Sequence, residues 1–153
     1  SVNTNEKSKN ILTKEMTQTI PISKYLEHFT GKLTTYNAEC LGCSGSGNLA
    51  CKTKENKKFS LKKNGYYYID SEYGKIRILA AATTKFKCGT IVSVTKKGKT
   101  PFLAVVLDTG GSMRQAWKKN EVWMDLAYLP EQVSTTENYS GTNIDFDILR
   151  YGW

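Results

Sequence analysis

Histidine is nearly absent: the 153-residue chain has one, His28, and this removes most hydrolase mechanisms. A zinc peptidase or amidase generally takes two or more histidine ligands, and Ser-His or Cys-His nucleophilic catalysis takes a histidine held by an orienting partner. His28 lies in a stretch that reads as a leader segment, so it is assigned to a helix face or the surface. No family signature accompanies a Cys43–His28 thiol pair. Long apolar runs are missing too. The longest, such as Phe102 to Leu107, are far too short to cross a bilayer, so no membrane insertion is expected, and Ser1 to Asn10 lacks the charged-then-apolar order of a signal peptide. No Gly-Lys-Ser/Thr follows the glycines at 42, 45 and 47, which excludes a phosphate loop. Asp-Thr-Gly occurs once, whereas an aspartic protease needs a second such segment or a symmetric dimer. Carboxylate chemistry is what these absences leave.

Charge of one sign is in excess. Lys and Arg number 22 against 14 Asp and Glu, a formal net charge of +8, and the stretch from Lys52 to Lys63 holds six lysines against the single Glu55. Such a run reads first as a solvated loop, and as a functional feature it points to an anionic partner. No nucleic-acid recognition motif accompanies it, so an anionic wall polymer ranks above nucleic acid. The four cysteines are Cys40, Cys43, Cys51 and Cys88. Two disulfides in an exported protein, a four-thiolate zinc site and free buried thiols all fit the count. Zinc ranks third because Cys51 and Cys88 stand too far apart in sequence to be the second close pair of a zinc ribbon. The Cys-x-x-Cys pair is flanked by glycines and does not open a helix as a redox motif would.

Along the chain, residues 1–32 read as a polar linker followed by a short leader helix over Ile22 to Phe29, with Ser23 as cap and Gly31 as stop. Residues 33–153 read as one mainly β domain, within the size that a single core can support. Its strand-like runs are Leu33 to Ala38, Tyr66 to Asp70, Lys75 to Ala82, Thr90 to Thr95, Phe102 to Leu107 and Ile144 to Tyr151, with a helical piece near Ser112 to Lys118. Six short strands and one or two short helices predict a small closed barrel. Ile76, Ile78 and Ala80 alternate with Lys75, Arg77 and Leu79, the pattern of a half-buried strand, whereas Phe102 to Leu107 is continuous and predicts a strand buried on both faces.

The segment Val105-Val106-Leu107-Asp108-Thr109-Gly110-Gly111 puts an acid at the end of that buried strand, followed by two glycines. Partial desolvation there favours a protonated carboxyl, and the glycines expose backbone amides to a substrate. The plain structural reading of the same residues is an Asx-turn that ends the strand.

Asp108-Thr109-Gly110-Gly111-Ser112-Met113, followed after a basic spacer by Trp123-Met124-Asp125-Leu126, resembles the Asp-Thr-Gly-Gly-x-[Ile/Met]...[Ile/Met]-Asp pattern of the three-aspartate domain. That family includes Gram-positive stationary-phase muramidases, phage tail lysins and the barrel of membrane-bound lytic transglycosylase A. Leu33-Thr34-Thr35-Tyr36 is similar to the family's opening Ala-Thr-Ala-Tyr strand, and Cys40-Leu41-Gly42-Cys43-Ser44-Gly45 to a Cys-x-Gly-Cys-Ser-Gly seen in some members. Ile78 to Ala82 with Phe86-Lys87-Cys88-Gly89-Thr90 resembles its Ile-Ala-Val-Asp-Pro...Ile-Pro-Leu-Gly-Thr strand and turn, with Ala82 in place of the first aspartate and Lys87 in place of the proline. Asp70 and Glu39 are nearby acids that could substitute, and each reads first as an ordinary turn or surface residue.

The resemblance implies a six-stranded double-psi β-barrel that cleaves the bond between N-acetylmuramic acid and N-acetylglucosamine. Asp108 would be the single acid/base and Asp125 the residue that tunes it. Thr34, Tyr36, Thr109, Gly110 and Gly111 would contact the sugar, and Tyr128, Trp117 or Trp123 would stack on it. No cofactor and no metal is implied. The partner would be peptidoglycan, and the setting the extracellular cell wall or a virion tail, within a larger tail or wall protein. A non-catalytic glycan-binding or structural barrel is the alternative that Ala82 favours, and a disulfide-stapled secreted binding domain the one that the cysteines favour.

Overall fold

The computed structural model describes residues 10–12, 19–21, 24–38, 47–129 and 139–153, the first two stretches by their backbone alone. Strands β1 (Asn10–Leu12) and β2 (Thr19–Pro21) pair as a small antiparallel ribbon within the stretch read as linker. The larger sheet is built from β3 (Glu27–Tyr36), β4 (Tyr68–Asp70), β5 (Gly74–Ala80), β6 (Ile91–Thr95), β7 (Phe102–Asp108), β8 (Trp123–Ala127) and β9 (Gly141–Arg150). Its order is β4-β5-β7-β6-β9-β3-β8, and β8 pairs back onto β5. Six strands therefore close into a barrel, as expected, and β4 adds to it as an extra strand beside β5. Pairing is mixed: β3 with β8 and β5 with β7 run parallel, and the other contacts are antiparallel. The helices are short, α1 (Leu61–Asn64) and α2 (Gly111–Lys118). No helix among the described residues is long and apolar enough to cross a membrane.

Three expectations are corrected. The leader helix over Ile22 to Phe29 does not form in its described part, because β3 already begins at Glu27. Phe29 packs on the core while His28, Thr30 and Lys32 are exposed, the two-residue period of a strand. His28 is thus on a strand, its Nδ1 2.5 Å from Oδ1 of Asp147 on β9. Gly31 stops no helix. A Cβ there would lie 2.0 Å from the carbonyl oxygen of Val122, so glycine lets the chain approach where the Lys32 amide donates to that oxygen at 2.8 Å. The second correction concerns which strands close the barrel. Tyr68–Asp70 lies outside it, and Trp123–Ala127, which carries no clear alternating pattern, joins β3 to β5.

The third correction concerns β5, which is not half-buried: Ile76 through Ala80 are all buried, Arg77 and Leu79 included. Leu79 and Ala80 enter one apolar cluster and Ile76 and Ile78 the other, so neither face of the strand meets solvent. The Arg77 guanidinium, at 3% residue exposure, lies over the rings of Phe102, Tyr128 and Tyr67, where cation–π attraction offsets part of its desolvation. The continuous strand β7 behaves as expected. Phe102, Ala104 and Val106 enter one apolar cluster, and Leu103, Val105 and Leu107 enter a second one on the other face. That double burial explains why the run has no polar position before Asp108.

Candidate functional site

The end of β7 delivers Asp108 beside residues from three other strands. Ala80 on β5 is in register with Asp108 on one side and with Asp125 of β8 on the other. Two inter-strand spacings separate the backbones of the aspartates, roughly 10 Å. On the far side of β8, Thr34 is in register with Asp125, and Tyr36 with Ala127. The side chains converge through hydrogen bonds. Tyr36 donates its hydroxyl to Asp108 Oδ2 at 3.1 Å, and the Ala50 amide donates to Asp108 Oδ1 at 2.9 Å. Thr34 donates to Asp125 Oδ1 at 3.0 Å, and its own oxygen accepts from the Trp123 indole N–H at 2.8 Å. These are two hydrogen-bonded groups, one at Asp108 and one at Asp125, near enough for the charge of Asp108 to act on Asp125.

Burial, and then the charge of Asp108, push the Asp125 carboxyl above its ordinary range against the opposing hydrogen bond from Thr34. Burial first and the neighbouring Asp108 second push the Tyr36 phenol far up, so it stays protonated and remains a donor. For Asp125 the folded value lies above the unfolded one. The stability this carboxyl contributes is complete below the unfolded value and is lost as pH rises through the folded one. Asp125→Asn is therefore expected to raise the melting temperature at neutral pH and to change it little in acid, as calorimetry at two pH values would read.

The other expected contacts part company with these two groups. Thr109 accepts from Arg114 Nη1 at 2.9 Å, which ties its hydroxyl to α2. Gly110 caps α2 in extended conformation, and a Cβ there would come 2.6 Å from Met113 Cε. Its missing side chain serves local packing. A Cβ at Gly111 would meet nothing nearer than Arg114 at 3.9 Å, so the fold itself does not demand a glycine there. Trp117, partly buried, packs edge-on against Phe29 and Phe86, and the partly buried Tyr128 lies against Arg77. Ala82 is 2% exposed in the same apolar cluster as Phe86. Asp70 does not substitute for the absent aspartate, being held in an ion pair with Arg150. Glu39, Cys40 and Cys43 lie outside the described residues.

The sequence carried no sign of the segment that completes the site. A cavity of about 180 Å³ opens beside Asp108, lined by Tyr36, Asn37, Asn48 and Leu49 among others. Gly47, Asn48 and Leu49 form part of its wall, held by the Leu61 amide on the Gly47 carbonyl and the Leu49 amide on the Phe59 carbonyl. The Cys51 amide donates to the Leu107 carbonyl at 3.0 Å, next to the Ala50 amide on Asp108. Cys51 is disulfide-bonded to Cys88. A four-thiolate zinc site is thereby excluded, and among the described residues no group of three or more His, Cys, Asp or Glu is placed to hold a metal. The six lysines between Lys52 and Lys63 are exposed, four on the loop and Lys62 and Lys63 on α1.

Comparison with protein-family models, with curated proteins and with solved structures finds no match to this chain. The chemistry of the site therefore rests on its own geometry. One carboxylate, hydrogen-bonded at both oxygens, faces a cavity. A second is shifted toward its protonated form, and a phenol that does not ionise lies beside them. Such a set can hold, give and take back a proton.

The disulfide holds this arrangement from behind. Its closed loop spans a sequence separation of 37 residues, and a loop of that size stabilises a fold by about 2–4 kcal/mol in the chain-entropy view. Reduction is expected to lower unfolding stability by that amount in a denaturant titration. It should also broaden the Ala50 amide resonance, since the wall segment would lose its covalent tie.

Proposed function

We propose that this chain is a peptidoglycan-cleaving lytic transglycosylase of the three-aspartate, double-psi-barrel kind, with Asp108 as its general acid/base. The observation that carries the reading is Asp108 itself, at the end of a doubly buried strand, open to a cavity and gripped by Tyr36 and the Ala50 amide. The mixed barrel, with its two parallel strand pairs, is compatible with a double-psi topology.

In this reading protonated Asp108 donates to the glycosidic oxygen as the bond from the muramoyl anomeric carbon breaks. The carboxylate so formed accepts the proton of the muramoyl C6 hydroxyl as that oxygen closes on the anomeric carbon. One group does both jobs and no water enters, unlike two-carboxylate hydrolysis. Asp125, which burial and the Asp108 charge push toward its protonated form, keeps a second negative charge away while Asp108 exchanges its proton. Thr34 orients Asp125, and Tyr36 holds Asp108. The exposed lysines accelerate encounter with an anionic wall. Mass spectrometry of digested peptidoglycan tests the reading. Muropeptides with 1,6-anhydro-muramoyl ends, one water lighter than hydrolytic products, are expected.

The second reading, a glycan-binding or structural barrel without catalysis, is favoured by one observation. Ala82, where the resemblance calls for a carboxylate, is packed into the apolar core. Retention on peptidoglycan without release of either kind of end would decide for it.

A further inference from the structure

The cavity beside Asp108 is small for the polymer assigned to it. Its volume of about 180 Å³ falls below the roughly 300–1,000 Å³ usual for small-molecule sites, so most of a glycan strand must lie elsewhere. A second depression of about 450 Å³ lies between β3, β9 and the turn that follows α2, lined by Lys32, Asn120, Glu121, Trp123 and Thr142 among others.

The parallel pair β3 and β8 connects the two hollows. Its rungs are Lys32 with Trp123, Thr34 with Asp125, and Tyr36 with Ala127. Residues two apart on a strand share a face, so these rungs form one line. The hydrogen-bond chain from Trp123 to Thr34 to Asp125 follows it. From Tyr36, which touches Asp108, to Lys32 the line runs about 13 Å, enough for more than one sugar ring. At its far end the Lys32 ammonium sits 4.0 Å above the Trp123 ring. No acidic partner for Lys32 is found among the described residues. The hollow thus offers a cation placed over an indole, with the hydroxyl of Thr142, the amide of Asn120 and the carboxylate of Glu121 exposed at its rim.

We infer that this depression is a second saccharide subsite, which holds an acetamido sugar bearing a carboxylate, in the same strand whose scissile bond lies at Asp108. The inference rests on the function proposed above, and it gives the strand a direction along β3 and β8. Lys32 pairs with the carboxylate, and Trp123 reports occupancy to Asp125 through Thr34.

The test uses the non-cleaving Asp108→Asn protein in nitrogen-15 NMR, titrated with an uncrosslinked tetrasaccharide of alternating N-acetylglucosamine and N-acetylmuramic acid, and separately with neutral chitotetraose. The Ala50 amide reports the Asp108 cavity and the Trp123 indole N–H reports the depression. Both are expected to shift with the muramoyl ligand. Thr142→Arg, which fills the rim with a long side chain, is expected to remove the Trp123 shift, keep the Ala50 shift at saturation and weaken binding about tenfold, the scale of one good contact. Lys32→Gln is expected to erase the preference for the muramoyl ligand over chitotetraose. A shift at Ala50 alone overturns the subsite and leaves the proposed function standing. A Trp123 shift that survives Thr142→Arg also overturns the subsite, since it would then be transmitted through Thr34. Absence of any shift with either ligand overturns the glycan reading itself.

Discussion

Asp108→Asn is expected to abolish the release of 1,6-anhydro-muramoyl ends from peptidoglycan, with turnover falling by about 10²–10⁴-fold, the usual contribution of a positioned acid/base. Folding should be unaffected, because the amide meets the same neighbours. Its oxygen can still accept from the Ala50 amide, and its NH2 can donate to the Tyr36 hydroxyl, which turns from donor to acceptor. What the amide cannot do is give a proton and take one back. Cosedimentation with peptidoglycan should therefore be retained while product formation is lost. Release at the wild-type rate would remove Asp108 from the chemistry. Hydrated ends would mean that a second carboxylate, ionised in the complex, activates water, with Asp125 or Glu39 the first suspects.

How much of this was legible in the sequence differs from residue to residue, for physical reasons. Strand β7 could be read because an uninterrupted apolar run is what a strand buried on both faces must be. The acid that ends it stands out from the same run, and α2 forms where a helical piece near Ser112 to Lys118 is expected. Thr34 and Tyr36 were found through a resemblance, and they meet the aspartates because β3 and β8 run parallel in register. Strand β8 was not foreseen as a strand. Its burial does alternate, with Trp123 and Asp125 half-buried and Met124 and Leu126 buried, but in Trp-Met-Asp-Leu-Ala only Asp125 is polar, so the residue types do not show it. The start of β3 was misread because a serine and a glycine at helix-like spacing outweighed the alternation of His28, Thr30 and Lys32. The Ala50 contact had no signal at all. It is a backbone amide, present at every residue but proline, and only the fold decides which one faces a carboxylate.

A larger structural effect is expected at the opposite end of the polar inventory, in the ion pair that sequence reading treated as an ordinary turn acid. Asp70 has a side chain 1% exposed, and Arg150 binds it through both terminal nitrogens, at 2.7 and 3.0 Å. The amides of Glu72 and Tyr73 also donate to the Asp70 carboxylate. Burial alone would raise its pKa, but Arg150 and then those two amides hold it below the ordinary carboxylate value. Arg150 reaches further, donating to the Gly89 carbonyl beside Cys88, so the pair fastens the end of β9 to the turn that carries the disulfide. Arg150→Met is expected to cost about 3–5 kcal/mol of unfolding free energy, because it leaves a buried carboxylate without its cation. Adding Asp70→Asn should restore part of that loss, since the amide oxygen still accepts from Glu72 and Tyr73 and no buried charge remains. The pH dependence separates this account from simple loss of packing. In the wild type the folded value of Asp70 lies below the unfolded one. Its contribution is complete above the unfolded value and vanishes as pH falls through the folded one. Urea unfolding of the wild type across the acid range should therefore show a loss that Arg150→Met does not show. Equal acid slopes in the two proteins would mean that Arg150 acts through packing on Tyr73 and Trp153, the rings it lies over, rather than through the charge of Asp70.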